Sequence, residues 1–123
     1  MEVLFIEYPP CSTCKKAKKF LKEHGLSLQT RHIVEKTPTF DELSEWIYNS
    51  NYPLKKFFNT SGKLYRELNL KEKLPSMPEV EQIKLLSENG MLIKRPIVIY
   101  KKQVLVGFNE QTYKEVLGLN DDK

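Results

Sequence analysis

Two thiols stand three positions apart in Cys11-Ser12-Thr13-Cys14, directly after Pro9-Pro10 and ahead of a lysine-rich stretch. They are the only cysteines in the chain. Residues i and i+3 share a helix face, so the two sulfurs can meet if Cys11 sits at a helix cap and Cys14 in the first turn. The chemistry open to such a pair is reversible thiol–disulfide exchange. A helix N-terminus carries roughly half a positive charge, and Lys15, Lys16, Lys18 and Lys19 follow at once, so a thiolate at Cys11 is favoured there over the thiol. Cys11 therefore reads as the nucleophile and Cys14 as the resolving thiol. The competing reading is two small buried residues that merely lie close, and it is the weaker one, because CxxC at a strand-to-helix junction is a redox signature.

The elements around the pair must hold it at such a junction. Val3 to Ile6 is a continuous apolar run stopped by Pro9-Pro10, which predicts a buried central strand. Cys14, Ala17, Leu21 and His24, with Phe20 beside them, recur at helical spacing, and Gly25 suits the position after the last turn. Leu26 to Val34 then reads as a second strand, which completes a βαβ unit with a parallel pair. Thr39-x-x-Glu42 predicts a capping box opening a helix through Leu43, Trp46 and Ile47. Ser76-x-x-Glu79 predicts another, with Pro78 in the first turn, and Asn89-Gly90 closes that helix. Between them, residues 54–74 carry apolar positions around an Asn59-Thr60-Ser61-Gly62 turn, and short helices are expected there. Ile97 to Tyr100 and Val104 to Val106, separated by Lys101-Lys102-Gln103, predict an antiparallel hairpin, and Asn109 caps a final helix. The order is α/β, a βαβ unit, a helical insertion and a ββα unit around a mixed central sheet, which is a thioredoxin-like layout. Residues 1–119 read as one domain and residues 120–123 as a frayed tail.

Composition bounds the function. The chain has 123 residues, enough for one core without structural disulfides or metals, which leaves both thiols available for chemistry. The 20 basic and 16 acidic residues are interspersed and the net charge is +4. That balance argues against direct nucleic-acid binding and allows an anionic ligand. The lysine cluster from Lys15 to Lys22 is either a solvated helix face or an anion attractor. No stretch approaches the length of a membrane span and none resembles a secretory leader, so a cytoplasmic protein is expected. In that reducing compartment a CxxC pair cycles rather than staples. No metal is expected, because His24 and His32 do not complete zinc-ligand spacing with the two thiols.

Tyr8-Pro9-x-Cys11-x-x-Cys14-x-Lys16-Ala17, Phe57-Phe58-Asn59-Thr60-Ser61-Gly62, Leu92-Ile93-Lys94-Arg95-Pro96-Ile97 and Val106-Gly107-Phe108 together resemble the arsenate reductase (ArsC)/Spx family, in order and nearly end to end. The resemblance implies a nucleophilic Cys at Cys11, a site arginine at Arg95 and a cis bond to Pro96. Candidate catalytic residues are thus Cys11, Cys14 and Arg95, and candidate substrate-binding residues are Ser12, Thr13, Lys15 and Pro96. In the glutaredoxin-coupled reductases of the family, two further arginines bind the oxyanion. Here Asn59 and the segment Val106-Gly107-Phe108 stand where they would fall, so weak arsenate turnover is expected. CxxC is similar to the Spx-like branch and to related thiol reductases. Two functions follow from the resemblance. One is a thiol–disulfide oxidoreductase with no bound cofactor, acting on a small thiol or oxyanion substrate and drawing electrons from glutathione or a glutaredoxin- or thioredoxin-type thiol. The other is a redox-sensing regulator that binds the C-terminal domain of the RNA polymerase alpha subunit.

Overall fold

A computed structural model describes residues 2–119. In chain order the elements are β1 (Glu2–Glu7), α1 (Ser12–Glu23), β2 (Ser27–His32), α2 (Phe40–Asn49), α3 (Lys63–Glu67), α4 (Leu70–Lys73), α5 (Glu79–Glu88), β3 (Ile97–Tyr100), β4 (Gln103–Val106) and α6 (Glu110–Leu117). Short 3-10 turns occur at Leu54–Phe57, Leu74–Ser76 and Gly90–Leu92. The described residues divide into two compact units, residues 2–32 with 95–119, and residues 33–94. Of the tail expected to fray, residues 120–123 lie outside the described residues.

The first unit is a mixed four-stranded sheet in the order β2-β1-β3-β4, with β1 parallel to β2 and antiparallel to β3, and β3 antiparallel to β4. β1 is central because Val3, Phe5 and Ile6 are all fully buried, which only a strand covered on both faces achieves. β2 is the edge, with no fully buried residue between Ser27 and His32, and it is shorter at both ends than the apolar run suggested. Leu26 belongs instead to the close of α1, where its N–H reaches the Leu21 carbonyl at 3.1 Å. Gly25 makes that turn possible with φ of +80°, a left-handed conformation that a side chain resists. Ala17, Phe20 and Leu21 of α1 pack with Val3, Phe5, Val98, Leu105, Tyr113 and Leu117 in one core. Full burial of a side chain such as Phe5 stabilises by about 1.5–3 kcal/mol.

The hairpin closes one residue earlier than expected. Lys101 adopts φ of 57°, so two residues complete the turn and Gln103 already pairs with Tyr100. Asn109 caps α6 as expected, its Oδ1 accepting from the Thr112 N–H at 3.0 Å.

In the second unit, α2 opens on the expected capping box, with Glu42 N–H donating to Thr39 Oγ1 at 3.1 Å and Thr39 N–H to Glu42 Oε1 at 2.9 Å. Trp46, Phe57 and Phe58 are buried here as core residues. The second predicted box does not form. Met77 precedes Pro78, which biases it away from helical geometry, and α5 starts only at Glu79 with Pro78 at its cap. Ser76 therefore lies in the preceding 3-10 turn, and its hydroxyl donates back to the Lys73 carbonyl at 3.2 Å. The Gln82 side chain ties the entry instead, donating to the Met77 carbonyl at 2.8 Å. Gly90 is required by space, since a Cβ there would stand 2.3 Å from the Ile33 carbonyl oxygen.

Candidate redox site

β1 ends at Glu7, and the Tyr8-Pro9-Pro10 turn brings the chain onto α1 with the Cys11 N–H donating to the Tyr8 carbonyl at 2.9 Å. Cys11 is the N-cap of α1, in extended geometry, and Cys14 is the third helical residue. Cys11 is partly exposed and Cys14 fully buried, both as thiols. The Cys11 thiol makes no capping bond, which leaves nearby N–H groups able to stabilise the charge once its proton leaves.

The two environments push the thiols apart. Burial of Cys11 works against ionisation, but hydrogen bonds from the Cys14 N–H and thiol, the Thr13 N–H and the Arg95 guanidinium outweigh it. The Cys11 pKa falls below its ordinary value. Cys14 is pushed up to about 12, chiefly by burial, which a hydrogen bond from the Tyr8 backbone opposes; the hydrogen bond and negative charge of Cys11 raise it further, and Arg95 lowers it least. The lysines behind the motif are not the leading causes of the Cys11 shift, as the sequence had suggested. Lys18 is engaged elsewhere, its Nζ 2.8 Å from an oxygen of the buried Glu7.

Among the candidates, Cys11, Cys14, Thr13 and Arg95 come together. Ser12 and Lys15 are exposed in the first turn of α1. Pro96 is buried, follows a cis bond from Arg95, and its carbonyl accepts from the Gly107 N–H at 2.8 Å. Tyr113 Oη in turn donates to the Gly107 carbonyl, which braces the turn against α6. Phe108 packs edge-on against Phe20 and Tyr113 at 5.5 and 5.0 Å, so the segment after β4 supplies an aromatic ring and no cation. In the second unit Asn59 accepts from the Ser61 hydroxyl at 3.4 Å, and Arg66 donates to the Ser61 carbonyl at 2.9 Å. Among the described residues no group of three or more His, Cys, Asp or Glu is arranged to hold a metal ion, and no helix is long and apolar enough to cross a membrane.

Two neighbours of the CxxC pair were not singled out from sequence. Tyr8 lies under Arg95, with the guanidinium carbon 5.2 Å from its ring centroid, and His32 meets its edge at 5.9 Å. Glu7 is a buried acid immediately before the motif. A carboxylate ending an otherwise apolar buried strand was the available signal.

Residues 6–116 match the ArsC family. The uncharacterized protein YusI of Bacillus subtilis is 52% identical over 115 residues, covering 94% of this chain and 98% of that one. The global transcriptional regulator Spx of Listeria innocua is 30% identical over 109 residues, covering 89% of this chain and 82% of the other. The crystal structure of an ArsC-family-related protein from Bacteroides fragilis superposes with a TM-score of 0.90 at 52% identity, over 94% of this chain and 98% of that one. With the family matched along most of its length and the same α/β architecture in a solved relative, the chain belongs to the ArsC family.

Proposed function

We propose that this protein is a cytoplasmic thiol–disulfide oxidoreductase in which Cys11 attacks and Cys14 resolves. The observation that carries this reading is the split between the thiols, one partly exposed with a lowered pKa, the other buried and pushed up to about 12. The Cys11 thiolate attacks one sulfur of a substrate disulfide, forming a mixed disulfide and expelling the other half as a thiolate. That step removes the Cys11 charge and thiol, two of the causes that hold the Cys14 proton. Cys14 then loses its proton to solvent and attacks Cys11 Sγ, which releases the second half of the substrate as a thiolate. The two protein thiols have together supplied two electrons, and a glutathione- or glutaredoxin/thioredoxin-type thiol donor restores them.

Arg95 is the cation at this site. Without two further arginines, an oxyanion lacks two charge-assisted contacts of about 1.5–3 kcal/mol each, or about 10- to 150-fold apiece in binding. Reduction of small disulfides or glutathione adducts is therefore expected where arsenate reduction is weak or undetectable. The test is NADPH consumption with each substrate, with and without glutathione and glutaredoxin. Cys11→Ser should abolish turnover and Cys14→Ser should accumulate a mixed disulfide. Efficient arsenate turnover would refute the assignment of oxyanion binding mainly to Arg95 and the head of α1.

The relationship to Spx favours a second reading, a redox-sensing regulator that binds the C-terminal domain of the RNA polymerase alpha subunit and uses the CxxC pair as its switch. A pull-down with that domain, in reduced and oxidised states, separates the two.

A further inference from the structure

The Arg95 side chain serves Cys11 from the far end of the sequence, and a long, flexible cation reaches one sulfur reliably only if something holds it. The ring of Tyr8 occupies that position. The guanidinium lies over its face at 5.2 Å, within the range of a cation–π contact, and His32 from the end of β2 closes the ring's edge at 5.9 Å with the planes 88° apart. The Tyr8 backbone also meets both cysteines, its carbonyl accepting from the Cys11 N–H and its main chain hydrogen-bonding the Cys14 thiol. We propose that Tyr8 is a positioning residue, whose ring forms the shelf that holds the Arg95 guanidinium against the Cys11 sulfur. This rests on the proposed thiol chemistry of Cys11. It assigns the aromatic ring beside the CxxC pair a part in that chemistry.

A side-chain substitution separates the ring from the backbone contacts, which it leaves in place. Tyr8→Phe keeps the aromatic face, and Tyr8→Leu removes it. The readout is the pH profile of Cys11 alkylation by iodoacetamide, followed at the Cys11 peptide by mass spectrometry. The titratable groups against the ring are Arg95 before β3 and His32 of β2, and Cys11 and Cys14 of α1 meet the Tyr8 backbone. The profiles are therefore repeated with His32→Phe, which keeps a ring at the edge. Tyr8→Leu should shift the Cys11 profile to higher pH and slow alkylation about 2- to 10-fold on its acid limb, and Tyr8→Phe should match the unsubstituted protein. In an Arg95→Ala background the Tyr8→Leu effect should vanish. A Tyr8→Leu profile equal to that of the unsubstituted protein, or an effect undiminished without Arg95, would overturn the proposal. A second measurement needs no variant to fold. The Arg95 side-chain protons of the unsubstituted protein should show an upfield ring-current shift in NMR spectra, and its absence would also overturn the proposal. Alkylation does not depend on turnover. If Tyr8 behaves as expected and disulfide substrates are not reduced, the positioning stands and the oxidoreductase reading fails.

Discussion

Selective alkylation of the two cysteines can be worked out numerically. With a pKa of about 12, Cys14 is ionised to only about 3 parts in 100,000 at pH 7.5, whereas a thiol at the ordinary 9.0 is about 3% ionised and Cys11 exceeds that. The thiolate populations therefore differ by at least about 1,000-fold. A more basic thiolate is the stronger nucleophile, and a Brønsted coefficient of about 0.4–0.5 returns about 20-fold over a gap of three pH units, leaving about 40-fold in favour of a thiol at the ordinary value and more as the Cys11 pKa falls toward the working pH. Burial widens this margin, since Cys14 has no exposed surface. The assay is a brief iodoacetamide pulse on the reduced, unsubstituted protein, with the two cysteines resolved by peptide mass mapping between pH 6 and 10. The Cys11 rate should level off below pH 9, while the Cys14 rate should still be rising at pH 10. Initial rates within about 5-fold of each other at pH 7.5 would refute the reasoning, because Cys14 is both almost wholly protonated at that pH and fully buried.

The same asymmetry has a signature in stability. Cys14 holds its proton more tightly folded than unfolded, so its contribution is fully present below the unfolded thiol pKa and is lost between about pH 9 and 12. Urea denaturation should show the unfolding free energy of the unsubstituted protein, relative to Cys14→Ala, falling by about 1.4 kcal/mol per pH unit in that window; a constant difference would count against a buried, protonated Cys14. Lys18→Met leaves the buried Glu7 carboxylate without its 2.8 Å partner and should cost about 1–3 kcal/mol, toward the lower end because Lys18 is a third exposed. The double variant with Glu7→Gln should recover much of that loss, and strict additivity of the two would argue that they do not interact. Tyr113→Phe removes the hydroxyl that donates to the Gly107 carbonyl and should lower stability by about 1–2 kcal/mol, read as a shift in the denaturation midpoint at unchanged slope.

Signals carried within a few residues were legible in the sequence. The buried β1, the Thr39 capping box, the Asn109 cap and the placement of Cys11 at the head of α1 each follow from neighbours in the chain, and the structure has all of them. Where a local signal failed, another local one had greater force. The Ser76 box gave way to Pro78, which cannot be preceded comfortably by a helical residue, and the hairpin turn tightened because Lys101 accepts a left-handed conformation. The partners of the site were less legible. Tyr8 meets Arg95 only because β3 pairs antiparallel with β1, and it meets His32 only because β2 runs parallel on the other side. No periodicity or spacing near Tyr8 encodes either contact. The lysine cluster misled in the opposite sense, since its proximity in sequence suggested an influence on Cys11 that hydrogen bonds from Thr13, Cys14 and Arg95 supply instead.

Two identical side chains thus acquire different chemistry from a displacement of three residues. At the cap, Cys11 faces N–H groups that have no carbonyl to satisfy within the helix, so ionisation there gains hydrogen bonds. One turn inside, Cys14 is covered by protein, and ionisation there would leave a second charge beside the first. Each thiol reinforces the other's state. The Cys14 thiol donates to Cys11 and lowers its pKa, and the Cys11 charge raises that of Cys14. A pair coupled in this way cannot present two thiolates at once at neutral pH. In the proposed cycle Cys14 acts second, because a bond from Cys11 to sulfur removes the negative charge that opposes ionisation of Cys14.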